Sequence, residues 1–69
     1  MDKEVALVIK AHALDAIAQL TELLYITEDR CTPEEYEAIR RGVGISIGNT
    51  AVDLLEIVYR AYPELDDDR

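Results

Sequence analysis

The chain has 69 residues, a net charge of −8 and a single cysteine. This length allows one domain with a small core, and such domains usually gain stability from disulfides, a metal or an oligomer. One cysteine and one histidine exclude an internal disulfide and disfavour a structural metal site. Oligomerisation is therefore the expected source of additional stability.

The excess of acidic residues, 15 against 7 basic ones, also narrows the class of partner. An acidic surface repels the phosphates of nucleic acids and of anionic lipids. No uncharged apolar stretch of about 18 residues is present that would span a membrane, and no basic, apolar leader is evident after Met1. The lack of a disulfide framework is typical of a reducing compartment. We therefore expect a cytoplasmic protein without nucleic-acid or membrane partners.

Residues 3–29 are predicted to form the first helix, because they contain neither glycine nor proline and their apolar residues recur with helical spacing. These apolar residues occupy well over half of the circumference, whereas covering a single neighbour needs a stripe of about 100°. The helix is therefore expected to have more than one neighbour. Its main apolar side contains Val5, Ile9, Ala13, Ala16, Ile17, Leu20, Leu23 and Leu24, and a second patch contains Leu7, Ala11, Leu14, Ala18 and Tyr25.

A turn over residues 30–32 is predicted to precede a second helix. Thr32 is a typical N-cap, Pro33 stands at the first helical position, and Glu35 stands where a capping box places its carboxylate. The second helix is expected to cover residues 33–62, followed by a frayed acidic tail over residues 63–69. Its apolar side contains Tyr36, Ile39, Val43, Ile47, Thr50, Leu54, Ile57, Val58 and Ala61, and continues round to Ala51, Leu55, Tyr62, Val52 and Ile45.

Two helices of roughly 40 Å each, joined by a short turn, predict an all-α fold in the form of an antiparallel two-helix hairpin. A hairpin on its own buries one face of each helix, yet both predicted helices carry a second apolar face. We therefore expect two hairpins to dimerise into a four-helix bundle, with residues 1–69 forming a single domain.

Three glycines lie inside the second helix, Gly42, Gly44 and Gly48, where each costs about 1 kcal/mol relative to alanine. Gly44 and Gly48 share one line of the helix with Ala51 and Leu55, whereas Gly42 falls on the polar stripe. Small residues at this spacing allow two backbones to approach closely. The line is therefore predicted to form a close helix contact or a dimer seam.

Other interpretations of the glycine cluster are open. A break in the helix would let Ser46 cap a new helix, and the alternation of Val43, Ile45 and Ile47 is a strand pattern. A phosphate-binding loop is disfavoured, because its spacing is Gly-x-Gly-x-x-Gly after a strand. In this chain Ile47 occupies the third glycine position, and the pattern that precedes the cluster is helical.

Few residues are candidates for chemistry. His12 lies three residues before Asp15, which permits a histidine–carboxylate pair, although an exposed histidine is the plainer expectation. Cys31, at the turn, is expected to be an unreactive thiol because His12 is far from it. No combination of nucleophile, base and oxyanion donor can be assembled. We therefore predict no catalytic residue, no metal site and no cofactor.

The tyrosines cluster near the predicted helix ends. Tyr25 and Tyr36 flank the turn and are expected to cap the core there, with their hydroxyls reaching water. Tyr59 and Tyr62 lie beside Arg60, and tyrosine and arginine are common anchors of protein interfaces. These three residues are the candidate partner-binding site.

Arg40 lies on an otherwise apolar face of the second helix. Glu37 and Glu56 are the expected neutralisers of Arg40 and its neighbour Arg41, Glu37 through contacts three or four residues along the helix. Arg40 is therefore a candidate for an ion pair between chains.

The expected function is that of a small acidic, non-enzymatic protein-interaction module acting as a homo-oligomeric helical bundle. The alternative is an acidic inhibitor, immunity or antitoxin-like protein that neutralises a basic partner through charge complementarity. The expected partners are a second copy of this chain and, in the alternative, a basic protein.

Overall fold

A computed structural model describes residues 1–67 and contains four helical elements before the tail. They are α1 (Lys3–Thr27), α2 (Pro33–Thr50), a π-helical segment (Ala51–Leu55) and α3 (Glu56–Ala61). No strand occurs in this described part of the chain, so the prediction of an all-α fold is confirmed. Because α2 runs unbroken through residues 42–48, the alternatives of a helix break and of a strand at the glycines are wrong.

The elements form an antiparallel hairpin with a long axis of 45 Å. We call α1 the first arm and residues 33–61, which are continuously helical, the second arm. The ends of the arms meet, because the Tyr62 hydroxyl donates to the carbonyl oxygen of Met1 at 3.1 Å and Lys3 Nζ lies 3.5 Å from Glu64 Oε1. The first arm ends at Thr27, two residues before the predicted boundary, and the turn covers residues 28–32.

Both arms begin at a side-chain cap. The Asp2 carboxylate accepts from the backbone N–H of Val5 at 2.8 Å. At the second arm, the Thr32 hydroxyl accepts from the Glu35 N–H at 3.2 Å, and the Glu35 carboxylate accepts from the Thr32 N–H at 2.9 Å. This confirms the predicted capping box. The hydrogen bond from the Thr32 backbone holds the pKa of Glu35 below its ordinary value.

The core is a single narrow seam between the arms. Its buried members are Ala6, Ala13, Val43, Leu55 and Val58, and Val58 is the largest side chain that is fully buried. The two alanines bring the first arm close to the second, so the seam buries little apolar area. A hairpin of this construction gains only a small hydrophobic stabilisation from its own core.

The π-helical segment changes which residues of the second arm enter the seam. The predicted main apolar side of the second helix contained Val58, with Leu55 further round, and it also contained Leu54 and Ile57. These two side chains are instead 43% and 53% exposed, whereas Leu55 and Val58 are 8% and 0% exposed. A π turn inserts one residue into the helical repeat, and this insertion moves the buried stripe forward by one position.

The beginning of the tail is held against the first arm. Residues Pro63–Leu65 form a 3₁₀ turn, and Lys10 Nζ donates to the carbonyl oxygen of Leu65 and lies 3.1 Å from Asp67 Oδ2. The same ammonium lies 5.9 Å from the centre of the Tyr59 ring. The expectation of a frayed tail is therefore wrong for residues 63–67, and residues 68–69 of that tail lie outside the described part.

Candidate protein-interaction surface

Large apolar side chains are exposed along the whole hairpin and outnumber the buried ones. Most of this exposure cannot be relieved inside the hairpin, because each arm has only one neighbour. Scattered exposed apolar residues are ordinary, but contiguous apolar patches mark interaction sites. The exposed set consists of Met1, Val5, Leu7, Val8, Leu14, Leu23, Tyr25, Ile26, Ile45, Val52, Leu54 and Ile57.

One row of the second arm combines this apolar surface with charge. Its members follow one another at intervals of three or four residues, so that each lies beside the next on the helix surface. All of them are exposed except Glu56, which is half-buried. We call this row the outer line: Glu37, Arg40, Gly44, Gly48, Val52, Glu56 and Arg60.

The glycines of the outer line have no structural role inside the hairpin. Beyond the adjoining residues and the local backbone of the helix itself, a Cβ atom built at Gly44 or Gly48 would meet no described atom within 4 Å. No glycine of residues 1–67 has a positive φ, so backbone conformation does not require glycine at either position. The predicted close contact is thus not one between the two arms. A seam with a second copy stays a prediction.

The other two residues of the predicted seam lie nearer the core. Ala51 is half-buried, and Leu55, 8% exposed, belongs to the contact between the arms. Val52, which is 59% exposed, stands on the outer line instead. A helical wheel of uniform period does not include the π-helical segment. It therefore placed Leu55, and not Val52, in line with Gly44 and Gly48.

Two ion pairs mark the ends of the outer line. The Glu37 carboxylate accepts two hydrogen bonds from the Arg40 guanidinium, at 2.9 and 3.1 Å, and Glu56 pairs with Arg60. The Arg40 guanidinium lowers the pKa of Glu37, and Glu37 in turn raises the pKa of Arg40. The prediction that Glu37 neutralises Arg40 is confirmed. The prediction for Glu56 is wrong within the hairpin, since its partner is Arg60.

A shallow groove lies between the outer line and the second apolar patch of the first arm, to which Leu14 belongs. Leu14 of the first arm lines it together with Ala51, Glu56, Tyr59 and Arg60. The apolar patch of the first arm and the outer line therefore lie on the same side of the hairpin. Of the three candidate partner-binding residues, Tyr59 and Arg60 border this groove. The Tyr62 hydroxyl is engaged with Met1.

The remaining candidate residues do not assemble into a site. Nδ1 of His12 lies 2.9 Å from the Val8 carbonyl oxygen, to which it donates, and Asp15 accepts from Gln19 at 3.2 Å. The possible His12–Asp15 pair is thus not formed. No group of three or more potential metal ligands occurs within residues 1–67.

The residues around the turn differ in exposure. Tyr25 is 74% exposed, so the prediction that it caps the core is wrong, whereas Tyr36 is half-buried. Cys31 is a free, half-buried thiol. Tyr25 instead contributes to the exposed apolar set of the first arm.

Fold and surface together define an all-helical, two-armed hairpin with an exposed apolar side. Within residues 1–67, no helix has the length and apolar character needed to cross a membrane. Comparison of the chain with protein-family models, with curated proteins and with solved structures found no match.

Proposed function

We propose that this protein is a non-enzymatic protein-interaction module that acts as a homodimeric four-helix bundle. The observation that carries the proposal is the imbalance between a seam of five small or medium-sized buried side chains and the larger exposed apolar set around it. Association of two hairpins would cover one apolar side of each and supply the second neighbour that each arm lacks.

The dimensions of the hairpin suit such an association. Its extents of 45 × 20 × 15 Å give it one broad side, and a stable interface needs on the order of 800 Å² from each partner. A single broad side offers area of this order.

Sedimentation velocity at micromolar concentration tests the proposal. The monomer mass is 7.8 kDa, and we expect a species of about twice that mass whose population falls on dilution. A stable monomer across the accessible concentration range would contradict the proposed function. Circular dichroism of the same samples would report whether helix content falls as the dimer dissociates.

The acidic-inhibitor alternative rests on a separate observation. A second groove on the second arm is lined by Val52 and Ile57, by the carboxylates of Asp53 and Glu56, and by Arg60, which pairs with Glu56. The chain as a whole has a net charge of −8. A basic partner with an apolar anchor would fit such a surface. Affinity capture from the source cell at low and high salt tests this alternative. A basic protein retained only at low salt supports it, and capture that is insensitive to salt contradicts it.

A further inference from the structure

The charges of the outer line are arranged in a self-complementary order. The line begins with Glu37 and Arg40, continues through uncharged residues, and ends with Glu56 and Arg60. Gly48 lies eight residues after Arg40 and eight residues before Glu56, or about 12 Å from each at 1.5 Å per residue. A helix reversed about Gly48 therefore presents glutamate where the original presents arginine, and arginine where it presents glutamate.

We propose that the second copy docks antiparallel on the outer line, with the two-fold axis passing close to Gly48. This inference rests on the proposed function and adds the interface to it. In this arrangement Arg40 faces Glu56 of the second copy, and Glu37 faces its Arg60. Each of these contacts occurs twice because the interface is two-fold symmetric. A parallel pairing of the same lines would bring like charges together.

The uncharged middle of the line is complementary in shape under the same operation. Gly44 and Val52 stand at equal distances from Gly48, so the exposed Val52 side chain of one copy meets the open space above Gly44 of the other. That space is free within the hairpin, since a Cβ built at Gly44 has no described atom within 4 Å apart from the adjoining residues and the local helical backbone. Contact with Val52 of the second copy would thus explain why glycine, which has no side chain, stands at position 44.

The π-helical segment keeps both halves of the line on one side of the hairpin. A regular helix would rotate residues beyond Leu55 progressively away from Gly44 and Gly48. The inserted residue turns Glu56 and Arg60 back, so that they share a groove with Leu14 and Ala51. The apolar patch of the first arm that contains Leu14 then lies beside the outer line and adds apolar area to the interface.

Leucine substitutions at two neighbouring glycines test the location of the interface. Gly44→Leu fills the space that the second copy is inferred to use, whereas Gly42→Leu is the matched control on the opposite flank. Both positions are open in the hairpin, and both substitutions favour helix. We expect Gly44→Leu to raise the dimer dissociation constant by at least about tenfold, with Gly42→Leu within about twofold of the wild type.

A charge exchange tests the antiparallel orientation. Arg40→Glu is expected to weaken association, and the double variant Arg40→Glu with Glu56→Arg to restore it, because each new charge then faces its opposite on the second copy. The double variant loses both intrahelical pairs, so a role confined to helix stability predicts further weakening instead of rescue. Circular dichroism of each variant reports helix content independently of association.

The outcomes separate this inference from the proposed function. A wild-type monomer would refute both the module and the interface. A wild-type dimer with equal dissociation constants for Gly44→Leu and Gly42→Leu, or without rescue by the charge exchange, would refute the interface alone. A dimer weakened only by Gly42→Leu would place the second copy on the opposite flank and would likewise overturn the inference.

Discussion

The inner side and the outer line of the second arm differ in burial and in charge although they belong to one helical arm. The inner side packs Val43, Leu55 and Val58 into a nearly water-free seam. The outer line carries two ion pairs separated by glycines and an exposed valine. Hydrophobic shape therefore specifies the contact within the hairpin, whereas charge order would specify the contact that we propose between hairpins.

The largest expected effect separates the two sides with one pair of substitutions. Val58→Asp buries an unpaired carboxylate in the seam and should destabilise the hairpin by about 3 kcal/mol or more. Val52→Asp, at a position 59% exposed, should change the stability of the monomer by less than about 0.5 kcal/mol while weakening association. Urea unfolding at a concentration where the wild type is monomeric measures the first effect, and sedimentation the second. An equal loss of monomer stability in both variants would contradict the distinction between the inner side and the outer line.

The cap of the second arm is expected to support the seam without touching the outer line. Thr32→Ala removes the hydroxyl that accepts from the Glu35 N–H, and loss of such a cap costs about 1 kcal/mol. Thermal or urea unfolding of the monomer measures this loss. Thr32→Ser is the control, since serine retains the hydroxyl and should remain close to the wild type. An altered dimer dissociation constant in a fully folded Thr32→Ala variant would contradict the separation.

A smaller, stabilising effect is expected at the glycine outside the outer line. Gly42→Ala should raise the stability of the monomer by about 0.5–1 kcal/mol, because alanine favours helix and the position is open. Its dimer dissociation constant should not change. Urea unfolding and sedimentation of the same sample provide the two values, and a destabilised Gly42→Ala variant would reveal a contact that the hairpin alone does not contain.

Low pH is expected to weaken the N-terminal cap of the second arm and the ion pair on the outer line through different carboxylates. Glu35 and Glu37 both have lowered pKa values, so their charged forms contribute stabilisation that is present above the ordinary value of 4.5 and is lost as the pH falls through the lower, folded pKa. Protonation of Glu35 removes the charge that strengthens its hydrogen bond with the Thr32 N–H, and protonation of Glu37 removes the charge that pairs with Arg40. NMR titration of both carboxyl groups should show midpoints below the ordinary value. Glu35→Gln should reduce only the pH dependence of unfolding.

The fold was largely predictable because its signals are local. The capping box at Thr32 and Glu35, and the helical spacing of both arms, require no knowledge of distant contacts. The stop of the second arm before Pro63 was predicted to within one residue of the observed end at Ala61. Each of these features depends on residues close together in the chain.

The candidate surface was predicted only in part because it depends on the π-helical segment. A wheel of constant period placed Leu54, Ile57 and Val58 together on the main apolar side, with Leu55 further round. In the structure Leu55 and Val58 are buried, whereas Leu54 and Ile57 are exposed. No composition signal in Ala51–Leu55 marks such an insertion. Docking of the tail was missed for a related reason, since Lys10 and Leu65 are distant in the chain and only the hairpin brings them together.

The most direct test of the central claim is the distance between the two Cys31 residues in the proposed dimer. Cys31 lies at the turn end of a hairpin 45 Å long, and it is the chain's single cysteine. A nitroxide attached to it, measured by double electron–electron resonance, should give a separation of about 45 Å, because antiparallel docking places the turns at opposite ends. A separation below about 20 Å, the width of a hairpin, would place the turns together and contradict the antiparallel dimer.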